Sequence, residues 1–128
     1  MLDQPRIMRL AHEMAQHAAF RQGIVAQNMA NADTPGYRAR DVAAFRAGLG
    51  EVADPMRQTR RTHLGPMQGT NTPEILFVAG IEASPNGNTV LLETEMVRAA
   101  AARSQHDRAL SVYKAALDMM RTALGRGR

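Results

Sequence analysis

The sequence predicts a mainly α-helical fold: two long terminal helices forming an antiparallel, coiled-coil-like pair, joined by a short irregular insert with little or no β-structure. Three observations predict it. Apolar residues recur at helical spacing near both ends of the chain. Helix breakers gather between them: Pro55, Pro66, Pro73 and Pro85, with Gly50, Gly65, Gly69, Gly80 and Gly87. Aromatic residues make up only 4% of the chain, with no Trp, so alanine and methionine supply much of the apolar content. Small side chains suit thin layers between helices that approach closely, not a thick core. The chain reads as one domain over residues 1–128, divided into a helix at 4–32, a turn with an irregular insert at 33–89, and a helix at 90–124.

The first helix carries Ile7, Leu10, Met14, Ala18, Ile24, Val25 and Met29 at helical spacing. Pro5 suits its first turn, where a missing N–H does no harm. Its length is roughly 40 Å at the usual rise per residue. In the insert, Asp41 reads as the N-cap of a short helix over 42–49, with Val42, Phe45 and Leu49 on one face. EILFVAG, residues 74–80, is the one strand-like run, and SPNGN, residues 84–88, is turn chemistry.

The last helix is the most regular. Leu92, Met96, Ala99, Arg103, His106, Leu110, Tyr113, Leu117, Met120 and Leu124 step alternately by four and three, an a/d heptad line. Gly125 is placed as its C-terminal stop. The expected helix-packing seam is thus Ile7, Leu10, Met14 and Ile24 against Leu92, Met96, Leu110, Tyr113, Leu117, Met120 and Leu124. Arg103 and His106 interrupt it, as His17 and Arg21 do on the first helix, and polar seam residues can fix register. Two helices paired only with each other leave most of their surface wet, so the remaining apolar faces call for neighbours.

The net charge is +4, and Lys114 is the only lysine. A basic helical nucleic-acid binder is one reading. Against it, Arg98, Arg103, Arg108 and Arg121 spread around the last helix, diluted by Glu93, Glu95, Asp107 and Asp118. The absence of cysteine excludes disulfides and thiol chemistry. His12 and His17 stand off the i,i+4 spacing of a helical metal pair, and Glu93 and Glu95 point to different helix faces. No phosphate-binding loop is present, so no catalytic residue, metal or cofactor is expected. No apolar run approaches the ~18 residues of a membrane span. The N-terminal stretch has no apolar region of the kind a cleaved secretory signal needs.

The stretch QNMANADTPGYRAR, residues 27–40, ends the first helix abruptly. Asn31 is placed to donate its amide to the helix's free carbonyls. Asn28, one turn deeper, is expected to bond a neighbouring chain. Asp33 suits an Asx-turn. Thr34-Pro35-Gly36-Tyr37 suits a type II turn that swings Tyr37 back onto the helix.

The longer string VAQNMANADTPGYRARD resembles the N-terminal signature of the flagellar basal-body rod and hook protein family. Asn28, Met29, Ala30, Asn31, Thr34, Pro35, Gly36 and Tyr37 carry the match. Residues 84–124 resemble the C-terminal segment of proximal rod subunits, with an Asn-x-Val start at Asn88, a Glu-Met pair and a final aliphatic helix. Leu91 departs from the Asp often found there, and His106 from an aromatic residue. The resemblance implies a structural subunit of the proximal rod in the periplasm, transmitting torque and lining the export channel. It implies type III export without a cleaved signal, and helices that fold and pack on assembly. The implied partners are rod subunits of the FlgC, FlgF and FlgG type, the rod–ring adaptor protein FliE, the membrane ring and the export gate, with self-association in a helical assembly and no nucleic acid. The neighbouring paralogue FlgC is the alternative within the family; the short Ala32-Asp33 spacer and the C-terminal helix argue against it.

Overall fold

The computed structural model describes residues 6–46 and 73–125. Four elements follow in order: α1 (Arg6–Ala30), β1 (Arg40–Val42), β2 (Ile75–Phe77) and α2 (Leu92–Ala123). The two helices pack against each other. They run antiparallel: the Asn28 amide near the end of α1 donates to Glu95 in the first turn of α2 at 3.0 Å. α1 ends two residues before the expected 32, and α2 lies within two residues of the expected 90–124; the expected start at residue 4 lies outside the described residues. Pro5 lies outside the described residues.

The helix stops form as the residues dictate. Asn31 donates its side-chain amide to the Gln27 carbonyl at 2.8 Å. Tyr37 N–H donates to Thr34 O at 3.3 Å, with Gly36 at φ +72°, which is a type II turn. α2 starts from an extended Leu91 that offers no side-chain cap, with Glu93 and Glu95 in its first turn. It ends at Gly125, whose φ of +72° lets its N–H turn back to Thr122 O.

The expected short helix at 42–49 does not form over its described part. Residues 40–42 are instead a strand, antiparallel to β2 in the register Arg40↔Phe77, Asp41↔Leu76 and Val42↔Ile75. The ladder continues through Ala43 N–H to Glu74 O and Val78 N–H to Ala39 O. The physical reason is competition for Asp41. Its carboxylate is taken by Arg21 and by the next backbone amide, Val42, and so does not cap a helix. Leu49 lies outside the described residues. The strand-like run at 74–80 supplies β2, and among the described residues the sheet has two strands.

The helix interface also differs from the expected seam. On α2 the buried residues are Glu95, Ala102, Ala109 and Ala116, a seven-residue repeat one position before Met96, Arg103, Leu110 and Leu117. On α1 they are Met8, Ala11, Ala18, Ile24, Val25 and Asn28. Alanines contribute to the interface from both helices, which lets the backbones approach closely. Turning Glu95 inward rotates its neighbour Met96 by about 100°, off the interface. Of the expected seam residues, Ile24 is buried, while Leu10, Met14, Tyr113, Leu117 and Met120 are half-buried. Ile7 and Leu92 are exposed, as are Met96 at 59%, Leu110 at 50% and Leu124 at 80%. Arg103 is exposed and interrupts nothing. His17 and Arg21 serve the strand segment: His17 Nε2 lies 2.8 Å from Ala43 O with its ring edge-on to Phe45, and Arg21 binds Asp41.

This rotation is testable by volume. Ala109→Leu overpacks a closed interface and costs about 1–3 kcal/mol in urea unfolding. Leu110→Ala, one residue along, costs less than about 1 kcal/mol because its side chain is half in water. The reverse ranking would put Leu110 inside and contradict the interface.

Candidate functional site

The residues of the Asn-Met-Ala-Asn…Thr-Pro-Gly-Tyr stretch converge on a buried polar junction where α1, β1 and α2 meet. Asn28 is fully buried at its centre. Its amide nitrogen donates to Arg40 O at 2.6 Å and to Glu95 Oε2 at 3.0 Å. Its oxygen accepts from Arg40 N–H at 3.1 Å and from the Tyr37 hydroxyl at 3.3 Å. An Asn amide has two N–H donors and one oxygen with two lone pairs, and all are used here. Alternate residues of the strand segment, Ala39 and Ala43, bond β2; the backbone groups of Arg40 face the other way, and Asn28 pairs with both as a neighbouring strand would. Asn28 therefore closes its bonds within the chain rather than on a neighbour.

Glu95 is fully buried and accepts from Asn28 and from Arg98. Arg98 Nε lies 3.8 Å from Asp41 Oδ2. Asp41 receives Arg21 in a two-point contact, both N···O distances being 2.8 Å. Two carboxylates and two guanidiniums thus form a set balanced in charge. Burial alone would push the Asp41 pKa up; the hydrogen bonds from Arg21 and the Val42 amide, and the charges of Arg21 and Arg98, outweigh it and hold the carboxyl below its usual range. The hydrogen bond to Asp41 in turn raises the pKa of Arg21.

A second buried asparagine seals the end of α1. The Asn88 amide nitrogen lies 2.8–2.9 Å from the carbonyls of Asn31, Ala32 and Thr34, groups left over as the helix stops. Its oxygen accepts Val90 N–H at 2.7 Å, which fixes the approach to α2. Thr89 N–H to Tyr37 O and Gly36 N–H to Asn86 O zip the two loops together at 3.0 Å each.

Of the expected motif residues, Asn28, Asn31 and Tyr37 enter this network. Thr34 reaches Asn31 Oδ1 at 3.2 Å, while Pro35 and Gly36 shape the turn. Met29 is half-buried and Ala30 exposed. Sequence reasoning missed the roles of Glu95, Arg98, Asp41 and Asn88. The one available signal was Asn88 in the Asn-x-Val start; the ion pairs join residues far apart in sequence. Among the described residues every buried side-chain polar atom has a partner, and no group of three or more His, Asp or Glu could hold a metal ion. Such a closed network holds the three segments together.

Removing Asn28 strands Glu95 and both backbone groups of Arg40. Asn28→Ala should cost about 3 kcal/mol in unfolding, since each buried group left unpaired costs about 1–3; a loss below about 0.5 would contradict the geometry. Asp41, with its lowered folded pKa, contributes stability that is full above the unfolded value of about 3.9 and lost as pH falls through the folded value. Asp41→Asn should therefore lower stability at pH 7 and flatten the acid limb of the stability curve below about pH 4. An unchanged acid limb would contradict the ion pair.

No protein-family model matches the chain. It is similar along nearly its whole length to curated proteins called flagellar basal body rod protein FlgB. The FlgB of Agrobacterium fabrum is 31% identical over 122 positions, covering 90% of each chain. That of Salmonella typhimurium is 31% identical over 129 positions, and that of Escherichia coli 32% over 131, each covering 94% of both chains. With the terminal helices paired and the signature residues Asn28, Asn31 and Tyr37 joined in one junction, this similarity places the chain in the FlgB family of flagellar basal body rod proteins.

Proposed function

We infer that the chain is a structural subunit of the proximal flagellar rod, exported without a cleaved signal and assembled with other rod components. The observation that carries this reading is the division of labour on α2. Alanines close the intramolecular interface, and the large apolar residues Met96, Leu110 and Leu124 stand in water. A stripe of that kind is a surface prepared for burial against neighbours. Subunits of the FlgC, FlgF and FlgG type, the adaptor FliE, and the membrane ring and export gate are the proposed neighbours. Helices packed side by side in this way would transmit torque along the rod and line its channel. The closed polar junction supports a scaffold rather than an enzyme. The FlgC alternative is not favoured, because the relatives carry the FlgB name. Nor is nucleic-acid binding: two of the arginines, Arg21 and Arg98, are engaged in the junction.

Mass spectrometry of purified basal bodies tests the reading. The wild-type chain should be retained there through high-salt washing. Leu110→Glu should leave the helicity and melting temperature of the isolated chain unchanged, yet remove it from basal bodies and abolish motility. Normal incorporation of that variant would overturn the role of the stripe.

A further inference from the structure

A groove of about 800 Å³ runs between the middle of α1 and the ends of the two-stranded sheet, and the polar junction makes no use of it. Phe20, Phe45, Pro73 and Leu76 line it. It lies on the side of α1 turned from α2: at about 100° per residue, Phe20 falls roughly opposite the buried Ala11 and Ala18. Glu74 and Arg46 also border it, beside Glu13. The Glu74 carbonyl is held by Ala43, but its exposed carboxylate has no partner among the described residues.

The end of α2 offers the complementary surface. Leu110, Leu117 and Leu124 recur every seven residues, and Lys114 and Arg121 follow the first two at i+4, on the same face. Among the described residues Arg121 pairs with Asp118, its i+3 neighbour, and both are more than half exposed, so the pair is weak and exchangeable. Because Asn28 meets Glu95 and the helices are antiparallel, the level of Arg6 falls near Leu117. The last turns of α2 therefore stand beyond the first described residue of α1.

We propose that the groove of one copy receives the Leu117–Leu124 end of α2 from a second copy, with Arg121 meeting Glu74. The inference rests on the rod-subunit reading and deepens it. An amphipathic helix seats in an apolar groove through side chains spaced by about seven residues, as this stripe provides. Donor and acceptor surfaces differ, so the contact is head-to-tail. Each pair leaves one groove and one helix end free to take a further copy.

The cysteine-free chain allows a direct test by engineered disulfides. Leu76→Cys and Leu124→Cys alter exposed side chains, and circular dichroism checks that each full-length variant stays folded. After mixing and mild oxidation, the Leu76→Cys with Leu124→Cys heterodimer should dominate. Glu74→Arg should lower its yield by about fivefold or more through like-charge repulsion, and Arg121→Glu in the other chain should restore it. Predominant Leu76→Cys homodimers would overturn the inference in favour of a two-fold contact through β2. A heterodimer yield that ignores both charge changes, or no cross-link at all, would also overturn it. Presence of the wild-type chain in purified basal bodies is read separately, so the groove contact can fail while the rod reading stands.

Discussion

The fold depends on one carboxamide being fully satisfied. Asn28 sits in the last turns of α1, where a helix is about to leave its carbonyls without partners. Its amide binds the backbone of Arg40 on both sides and reaches Glu95 and Tyr37 as well. That single group sets three relations: where the chain returns after the turn, which edge of β1 is covered, and which face of α2 turns inward. The ion pairs of Arg21, Asp41, Arg98 and Glu95 follow from it, because they need Asp41 and Glu95 on the same side of α1.

The rotation imposed on α2 has a consequence along its whole length. With Glu95 inside, the positions seven, fourteen and twenty-one residues later are also inside, and these are Ala102, Ala109 and Ala116. Alanine buries little area, so the pairing of the two helices alone is weak away from the junction. The residues that would make a stronger interface are displaced to its flank. A subunit built in this way is tightly specified at one end, and the rest of its apolar surface is free for other chains. Polar junctions of this kind favour specificity over raw stability, since their desolvation cost offsets most of what the ion pairs return.

The helices, their antiparallel pairing, the type II turn and the strand-like run at 74–80 were legible in the sequence, because each has a local cause: periodicity, a Pro-Gly pair, β-branched and aromatic residues. The role of Asn31 as a cap was legible for the same reason. The facing of α2 was not. A heptad of Leu and Met reads as the stronger stripe, and nothing local says that a line of small residues beside it takes the interface. Asp41 also misled, since its local chemistry suits an N-cap and only the fold brings Arg21 to it. Asn28 was singled out from its position, yet its partners at Arg40 and Glu95 lie 12 and 67 residues away. Asn88 likewise acts on carbonyls more than 50 residues earlier.

Native-state hydrogen exchange of the isolated chain tests this account most directly, because it reads stability segment by segment. The account predicts the slowest exchange at the junction, in the amides around Asn28, Arg40 and Asn88 to Arg98, with protection falling steadily along α2 toward Leu124. Uniform protection along α2, or greater protection at its C-terminal end than at Glu95, would contradict the claim that the polar junction holds the subunit together.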